Sequence, residues 1–343
     1  MKKLLSFLLA LGILLSLTAC GAAPAETQPA AASTIATSPA ETTAATEAAA
    51  PVASAEAKAA LHGKRVLFIG NSYTFWGLAV LSNPAGSLSQ ADRRHDEGLF
   101  YHLCKANGME VEVTDWVFGG HNVTDIMSHS CMYESGDCMG VDHMSYLETP
   151  YFDYVAIQPF FETEYTGDLV SHLQPTVDFF RAANPNVKFI LMVPHMSYES
   201  NFVWLDSVDA LAESGFLICD WGGMVQDIIL KKAEVPGATE QYYRCSFVVS
   251  KFENDGYHQN ILAGYLTALM VYCAITGDSA VGQPYDFCDN TMVNSRFGLE
   301  NYRTNNYIIE PYTNFVEIFR SKADMLGLQA LADQYLAMYN GGN

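Results

Sequence analysis

The sequence predicts a three-layer α/β sandwich, in which helices cover both faces of a central, mostly parallel sheet of about five strands. Short runs of branched apolar residues recur along the chain, as expected for strands that are buried on both faces. Stretches with helical spacing separate these runs, and this alternation favours a parallel sheet. In folds of this kind, the loops that leave the carboxyl ends of the strands build the functional site.

The elements follow in order from this pattern. The first predicted strand, Arg65–Ile69, ends at Gly70. Four similar runs are predicted to be strands: Val111–Phe118, Tyr154–Gln158, Val187–Val193 and Phe216–Cys219. The helices predicted between them stop at residues that commonly end helices: Glu97–Ala106, Asp168–Ala183 and Phe202–Ser214. Later in the chain come an apolar helix over Asn260–Ile275, which Gly277 is placed to end, and a mostly helical part from Glu300 to Tyr339, with a break or start at Pro311.

The N-terminus is typical of an exported protein. Lys2 and Lys3 precede an apolar run, Leu4–Leu17, that is too short for a lasting membrane span. The run ends in Leu-Thr-Ala-Cys, which resembles the lipobox of bacterial lipoproteins and implies that Cys20 is lipidated. A plain secretory signal is the alternative. We therefore expect a signal peptide over 1–20 and a protein that is lipid-anchored at the extracellular face of the cell membrane.

The next segment, 21–60, is predicted to be a disordered tether. It is rich in Ala, Thr, Pro, Ser and Glu, and it has no aromatic residue with which to build a core. As a flexible coil it would hold the folded part on the order of 35 Å from the membrane. The remaining residues, 61–343, have no second break of this kind, so we expect one folded domain there.

Charge and cysteine content narrow the choice of partners. The formal net charge is −20, from 18 basic and 38 acidic residues, which disfavours nucleic acid, and we expect membrane contact only through the lipid anchor. Cys131 and Cys138 are the most plausible disulfide in an oxidising compartment; a metal site with His129 and His143 is the rival interpretation. Three further cysteines stand in apolar runs and are predicted to pack in the core: Cys104, Cys219 and Cys273.

One serine and one histidine carry the predicted chemistry. Ser72 follows the first strand directly, where a turn into a helix would expose its hydroxyl at the edge of the sheet. Far downstream, Asp255 precedes His258 by three residues, so that the carboxylate can orient the imidazole and the imidazole can activate the serine. Each feature alone also fits an ordinary structural role, a helix-capping Ser or a loop Asp and a capping His.

Together these features resemble the SGNH (GDSL-like) hydrolase family. The stretch VLFIGNSYTF is similar to its first block and NDGYHQN to its last, with Asn71 in place of the usual Asp. The resemblance implies a flavodoxin-like sandwich, the SGNH hydrolase fold, in a lipoprotein-anchored branch. It also implies a catalytic triad of Ser72, Asp255 and His258, with no metal and no cofactor.

The same resemblance implies an oxyanion hole, which would include the N–H of Ser72. Gly119 and Gly120 follow the second strand, where the family places a glycine whose N–H holds the oxyanion; a tight turn that needs positive φ accounts for them equally well. The family's third-block Asn is absent, and Gln158 carries an equivalent amide. The alternative for Gln158 is a satisfied amide at the end of a strand.

Three further residues are weaker candidates for substrate contact: Asn71, Tyr73 and His195. For His195, at the end of the fourth strand, a capping role is the alternative.

We therefore expect a serine esterase that hydrolyses short acyl esters, of acetyl groups above all, on carbohydrate at the cell surface. The substrate preference comes from the resemblance and from the lack of a long apolar lid segment. A non-catalytic glycan-binding lipoprotein on the same fold and a lipid acylhydrolase are the alternatives.

Overall fold

The computed structural model describes residues 53–75, 77, 79–80, 97–127, 144, 147–159, 168–200, 203–239, 241–247, 258–285 and 322–341. Contacts divide the chain into Met1–Ala48 and Ala49–Asn343, and every described residue belongs to the second unit. Within the described part, no helix is long and apolar enough to span a membrane.

A five-stranded, all-parallel sheet forms the centre of the domain. Its strands are β1 (Arg65–Gly70), β2 (Glu112–Val117), β3 (Tyr154–Ile157), β4 (Lys188–Met192) and β5 (Leu217–Cys219). They lie in the order β2-β1-β3-β4-β5, so β1 is paired on both sides. The predicted sheet is confirmed, and the strands lie at the predicted runs.

Helices cover both faces of this sheet, because alternate residues of each strand point to opposite sides. Val66 and Phe68 of β1 belong to one apolar core, and Leu67 and Ile69 belong to the other. The first face carries α1 (Ala55–Leu61), α3 (Leu99–Ala106), α8 (Trp221–Ile229), α9 (Ile261–Thr276) and α10 (Lys322–Asn340). The second carries α4 (Val123–Ile126), α5 (Leu169–Ala183) and α7 (Val208–Glu213). Two short helices stand at strand ends: α2 (Ser72–Phe75) and α6 (His195–Glu199).

Helix α9 is the most deeply buried helix of the first face. All of its residues are buried except Ala274, as expected for a helix that is apolar on every side. The side chain of Asn260 caps its start by accepting hydrogen bonds from the N–H groups of Leu262 and Ala263. Gly277 ends it in the left-handed conformation, as predicted from the sequence. The segment just before α9 is therefore held by an element that has little room to move.

Two boundaries differ from the predicted ones. Helix α1 covers residues that were assigned to the tether, because Ala57 and Leu61 are fully buried in the core that α9 also joins. The helix predicted over Phe202–Ser214 is two pieces, a 3₁₀ helix at Val203–Ser207 and then α7. At the junction, the hydroxyl of Ser207 accepts a hydrogen bond from the N–H of Leu169. Of the predicted C-terminal helical part, the described residues begin at Lys322 and are helical, and Pro311 lies outside them.

The cysteines of the described core are reduced. Cys104, Cys219 and Cys273 are buried and form no disulfide, which confirms their predicted place in the core. The predicted Cys131–Cys138 pair and its rival site with His129 and His143 lie outside the described residues.

Candidate active site

The serine-bearing turn leaves the carboxyl end of β1, in the middle of the sheet. Gly70 ends the strand, and a Cβ atom there would lie 2.1 Å from Oγ1 of Thr74. Only glycine therefore allows α2 to fold back directly over the end of its own strand. Ser72 begins α2 and is half-buried, and its hydroxyl forms no hydrogen bond within the described residues. The hydroxyl is thus left available for chemistry.

The histidine reaches the same rim from the other end of the domain. His258 is half-buried, and its imidazole stacks on the ring of Tyr73, with 4.7 Å between the ring centroids and 16° between the planes. Tyr73 is the residue after Ser72. The imidazole therefore contacts the residue next to Ser72, and the pairing of Ser72 with His258 stays a prediction.

Tyr73 and Asn71 do not face the solvent as the predicted substrate contacts would. Tyr73 is only 5% exposed, and Asn71 is fully buried. The amide of Asn71 donates to the carbonyl of His121 at 3.0 Å and accepts from the N–H of Tyr73 at 3.0 Å. These bonds fasten the serine turn to the turn after β2. Both residues are thus held inside the protein, and their predicted contact with substrate stays a prediction.

The turn after β2 presents two exposed glycines beside α2. The N–H of His121 donates to the carbonyl of Phe118 at 3.3 Å, which closes the turn over Gly119 and Gly120. Gly120 has φ +76°, so the predicted tight turn is present. A Cβ atom at Gly119 would meet only the ring of Phe75, at 3.9 Å. Neither glycine N–H donates a hydrogen bond within the described residues, so both are available to an oxyanion.

Gln158 is engaged within the protein, which matches the satisfied strand-end amide rather than the oxyanion role. It is 1% exposed. Its Oε1 accepts from the hydroxyl of Thr74 at 3.0 Å, and its Nε2 donates to the carbonyl of Pro159. The amide therefore braces α2 against the end of β3 instead of standing open as a third donor.

His195 is likewise buried, at 1% exposure, and does not reach the substrate face. Its Nε2 lies 2.7 Å from Oε1 of Gln226, and burial lowers the pKa of its imidazole. It is the first residue of α6, so it stands at the helix start that the alternative assigned to it. The predicted contact of His195 with substrate stays a prediction.

An ion pair that the sequence did not indicate anchors the segment before the histidine loop. Arg244 donates to Glu199 through Nε at 2.5 Å and through Nη2 at 2.6 Å. Just after this pair, the carbonyl of Phe247 accepts from the N–H of Asn260 at 2.8 Å. Phe247 and Asn260 are therefore held to each other. The predicted triad member Asp255 lies outside the described residues, and so does Cys20, the predicted lipidation site.

Three residues near α2 and the start of α9 that contact one another were not predicted from the sequence, namely Thr74, Gln259 and Thr267. All three are almost fully buried polar residues. A signal for two of them exists in the sequence: Gln259 directly follows His258, and Thr267 is a polar residue inside an otherwise apolar helix.

No protein-family model and no curated protein sequence matches the chain. Parts of it are similar to solved structures. A single-site variant of Axe2, an acetyl-xylooligosaccharide esterase from Geobacillus stearothermophilus, is 17% identical, with 62% of this chain and 94% of that chain covered and a TM-score of 0.39. A candidate SGNH hydrolase from Slackia heliotrinireducens is 14% identical, with 63% and 99% covered and a TM-score of 0.35. At these identities and TM-scores the likeness assigns no function, which must be inferred from the geometry of the site.

Proposed function

We propose that this protein is a serine esterase with Ser72 as its nucleophile and His258 as its base. One observation carries the proposal: the imidazole of His258 stacks on Tyr73, the residue next to a serine whose hydroxyl is unbonded within the described residues. A hydroxyl becomes a useful nucleophile at neutral pH when an imidazole beside it takes its proton. Asp255 completes the proposed triad by orienting His258.

The proposed reaction has two halves. His258 takes the proton of Ser72 as the serine oxygen attacks the ester carbonyl, and it returns that proton to the departing alcohol, which leaves an acyl-serine. Water then attacks the carbonyl of the acyl-serine while His258 takes a proton from the water. When the resulting tetrahedral intermediate collapses, His258 returns the proton to the Ser72 oxygen, and the carboxylic acid is released. No redox partner is needed.

The N–H groups of Ser72, Gly119 and Gly120 are the proposed donors to the oxyanion. Gly119 lies beside Phe75 of α2, and the N–H groups of both glycines are unbonded within the described residues. Donors aimed at the developing charge contribute much of the rate in acyl transfer, and the loss of one costs about 10²- to 10³-fold. Because the amide of Gln158 is engaged internally, we leave it out of this set.

For substrates we propose short acyl esters, with acetyl groups on carbohydrate as the first class to test. We also propose that the protein works at the cell surface, held by lipid on Cys20. Metabolic labelling with a fatty acid tests the anchor: the full chain is expected to be labelled, and Cys20→Ser is expected to be unlabelled and released into the medium. Equal labelling of both would contradict it.

A fluorophosphonate probe tests the esterase proposal, because it reacts only with an activated serine. We expect the folded protein to be labelled and Ser72→Ala and His258→Ala to be unlabelled, with melting temperatures near that of the wild type. Ser214→Ala is the matched control, since Ser214 lies at the end of α7 and donates to the carbonyl of Leu211. A panel of p-nitrophenyl esters then separates acetyl preference from the long-chain preference of a lipid acylhydrolase.

A second candidate is a non-catalytic protein that binds glycan. The internal hydrogen bonds of Gln158 favour this candidate, because they leave the proposed oxyanion hole with backbone N–H donors and without a side-chain donor. A well-folded wild type that resists the probe but binds an oligosaccharide in calorimetry would support the binder and contradict the esterase.

A further inference from the structure

We infer that Gln259 is a positioning residue, which fixes the backbone that carries His258 against the helix that carries Ser72. This inference rests on the proposed function, since the fixed pair is its nucleophile and base. Gln259 directly follows His258 and is 1% exposed, so its side chain points into the protein while the imidazole beside it stays half-buried at the rim.

The amide of Gln259 contacts both elements that must be kept in place. Its Nε2 lies 3.5 Å from the carbonyl of Thr74 in α2. The hydroxyl of Thr267 in α9 lies 3.2 Å from its Oε1 and 2.9 Å from the carbonyl of Ala263, so the single hydroxyl proton is shared between these two acceptors. Gln259 therefore links the serine helix to the buried helix through a single side chain.

Thr74 is held from two sides by this arrangement. Its hydroxyl donates to Gln158 at the end of β3, and its carbonyl faces Gln259. Helix α2 is only four residues long and cannot hold its own position by helical hydrogen bonds alone. The two glutamine amides therefore contact Thr74 from two other elements of the fold.

Two glycines let the backbones meet at the same place. A Cβ atom at Gly77 would lie 2.3 Å from the carbonyl oxygen of Asn260 and 3.1 Å from Cγ of Gln259. A Cβ atom at Gly264 would lie 1.8 Å from the carbonyl oxygen of Gly77. Gly77, just after α2, thus lies directly against the backbone around Gln259.

The experiment compares Gln259→Met and Thr267→Val with the wild type. Methionine keeps the length of the side chain without its amide, and valine keeps the shape of threonine without its hydroxyl. We expect the rate of fluorophosphonate labelling and kcat for p-nitrophenyl acetate to fall about 10- to 100-fold, with KM changed little, because a small misplacement of reacting groups costs this much.

A second measurement reports the position of His258 without using activity. In wild-type protein with ¹³C-labelled histidine, the ring of Tyr73 shifts the His258 signal upfield, and that signal is assigned by its absence in His258→Ala. We expect it to move towards the unstacked value in Gln259→Met and Thr267→Val. Thr267→Ser restores the hydroxyl, so it is expected to return both the signal and the rate to wild-type values.

Thr276→Val is the matched control. Thr276 is a buried threonine near the other end of α9, and its hydroxyl donates to the carbonyl of Tyr272 four residues earlier, as Thr267 does to Ala263. We expect its removal to leave the rate and the His258 signal unchanged. A general loosening of α9 would affect Thr276→Val and Thr267→Val alike, and that result would overturn the inference.

The outcomes separate this inference from the proposed function. Wild-type labelling rates and an unmoved His258 signal in a folded Gln259→Met would overturn the positioning role while leaving the esterase intact. A wild type that resists the probe would contradict the esterase, and the His258 signal then decides the positioning role by itself. If Gln259→Met fails to fold, the Thr267 pair gives the decision.

Discussion

The ring of Tyr73 lies against the imidazole of His258 with 4.7 Å between their centroids. This contact joins a residue from the first turn after β1 to a residue just before α9, and Tyr73 is itself buried at 5% exposure. Stacked rings of this kind stabilise each other beyond the area that they bury. The contact therefore limits how far the imidazole can move away from Tyr73.

Replacement of Tyr73 tests whether its ring orients the imidazole of His258. We expect Tyr73→Leu to lower the rate of fluorophosphonate labelling about 10-fold or more, because the imidazole loses the surface that orients it. Tyr73→Phe keeps the ring and is expected to keep the rate. The ¹³C-histidine spectrum checks the cause, since the His258 signal should move in the leucine variant alone. Equal rates in both variants would contradict an orienting role for the ring.

Gly264 should resist replacement by alanine, although alanine is the better helix former. In an open helix position the change would stabilise the protein by about 1 kcal/mol. Here the new methyl group would lie 1.8 Å from the carbonyl oxygen of Gly77, so the loop must move or the helix must shift. We expect a net loss of about 1–3 kcal/mol in the free energy of unfolding, measured by urea denaturation. A gain in stability would show that the two backbones are not in contact.

Asp220 should make the stability fall as the pH rises from about 4 to about 6. Burial raises the pKa of its carboxyl from 3.8 to about 6, although Tyr198 and the N–H of Gly223 donate hydrogen bonds to it. Between these two pKa values the folded protein holds a proton that the unfolded chain has lost, so unfolding becomes easier with rising pH. The difference between the pKa values corresponds to about 3 kcal/mol.

Asp220→Asn tests this effect, because asparagine keeps the size of the side chain and removes the titrating carboxyl. We expect the free energy of unfolding of the wild type to decline relative to the variant across that pH range and then to stay level above it. Urea denaturation at pH 4, 5, 6 and 7 measures the difference. Two curves that remain parallel would place Asp220 in a more solvated environment than the structure gives it.

The buried cysteines should be unreactive in the native protein. Burial raises the pKa of the thiols of Cys104, Cys219 and Cys273, so the thiolate that reacts with alkylating agents is scarce as well as inaccessible. We expect maleimide to leave all three unmodified under native conditions and to modify all three in urea, as read by peptide mass spectrometry. Native modification of Cys219 would indicate that the core beneath α9 opens.

The sheet could be predicted from the sequence because its strands are buried on both faces. The run Val66–Ile69 carries apolar residues at every position, and in a short segment that stops at a glycine this pattern strongly favours a covered strand. Helix α1 could not be predicted in the same way, because its Ala-rich residues have the composition of the tether before them. What makes it helical is the burial of Ala57 and Leu61 against distant residues, which no local pattern contains.

The candidate site could likewise be predicted from the sequence only in part. The positions of four candidate residues in the chain could be predicted: Ser72 follows β1, Gly119 and Gly120 follow β2, and His258 precedes α9. The side-chain partners of Asn71, Gln158 and His195 could not be read from the sequence, since a polar residue at a strand end can turn outwards to a ligand or inwards to a neighbour. All three turn inwards, and their hydrogen bonds join residues 31 to 84 positions apart in the chain.

Thr74 and Gln259 are separated by 185 positions in the chain. A copy that ends before His258 would therefore keep the proposed nucleophile without the histidine that is proposed to activate it. In such truncated copies of the proposed enzyme, Ser72 would not react with esters. The fraction of molecules that react at Ser72 would therefore measure the fraction of full-length protein in a preparation.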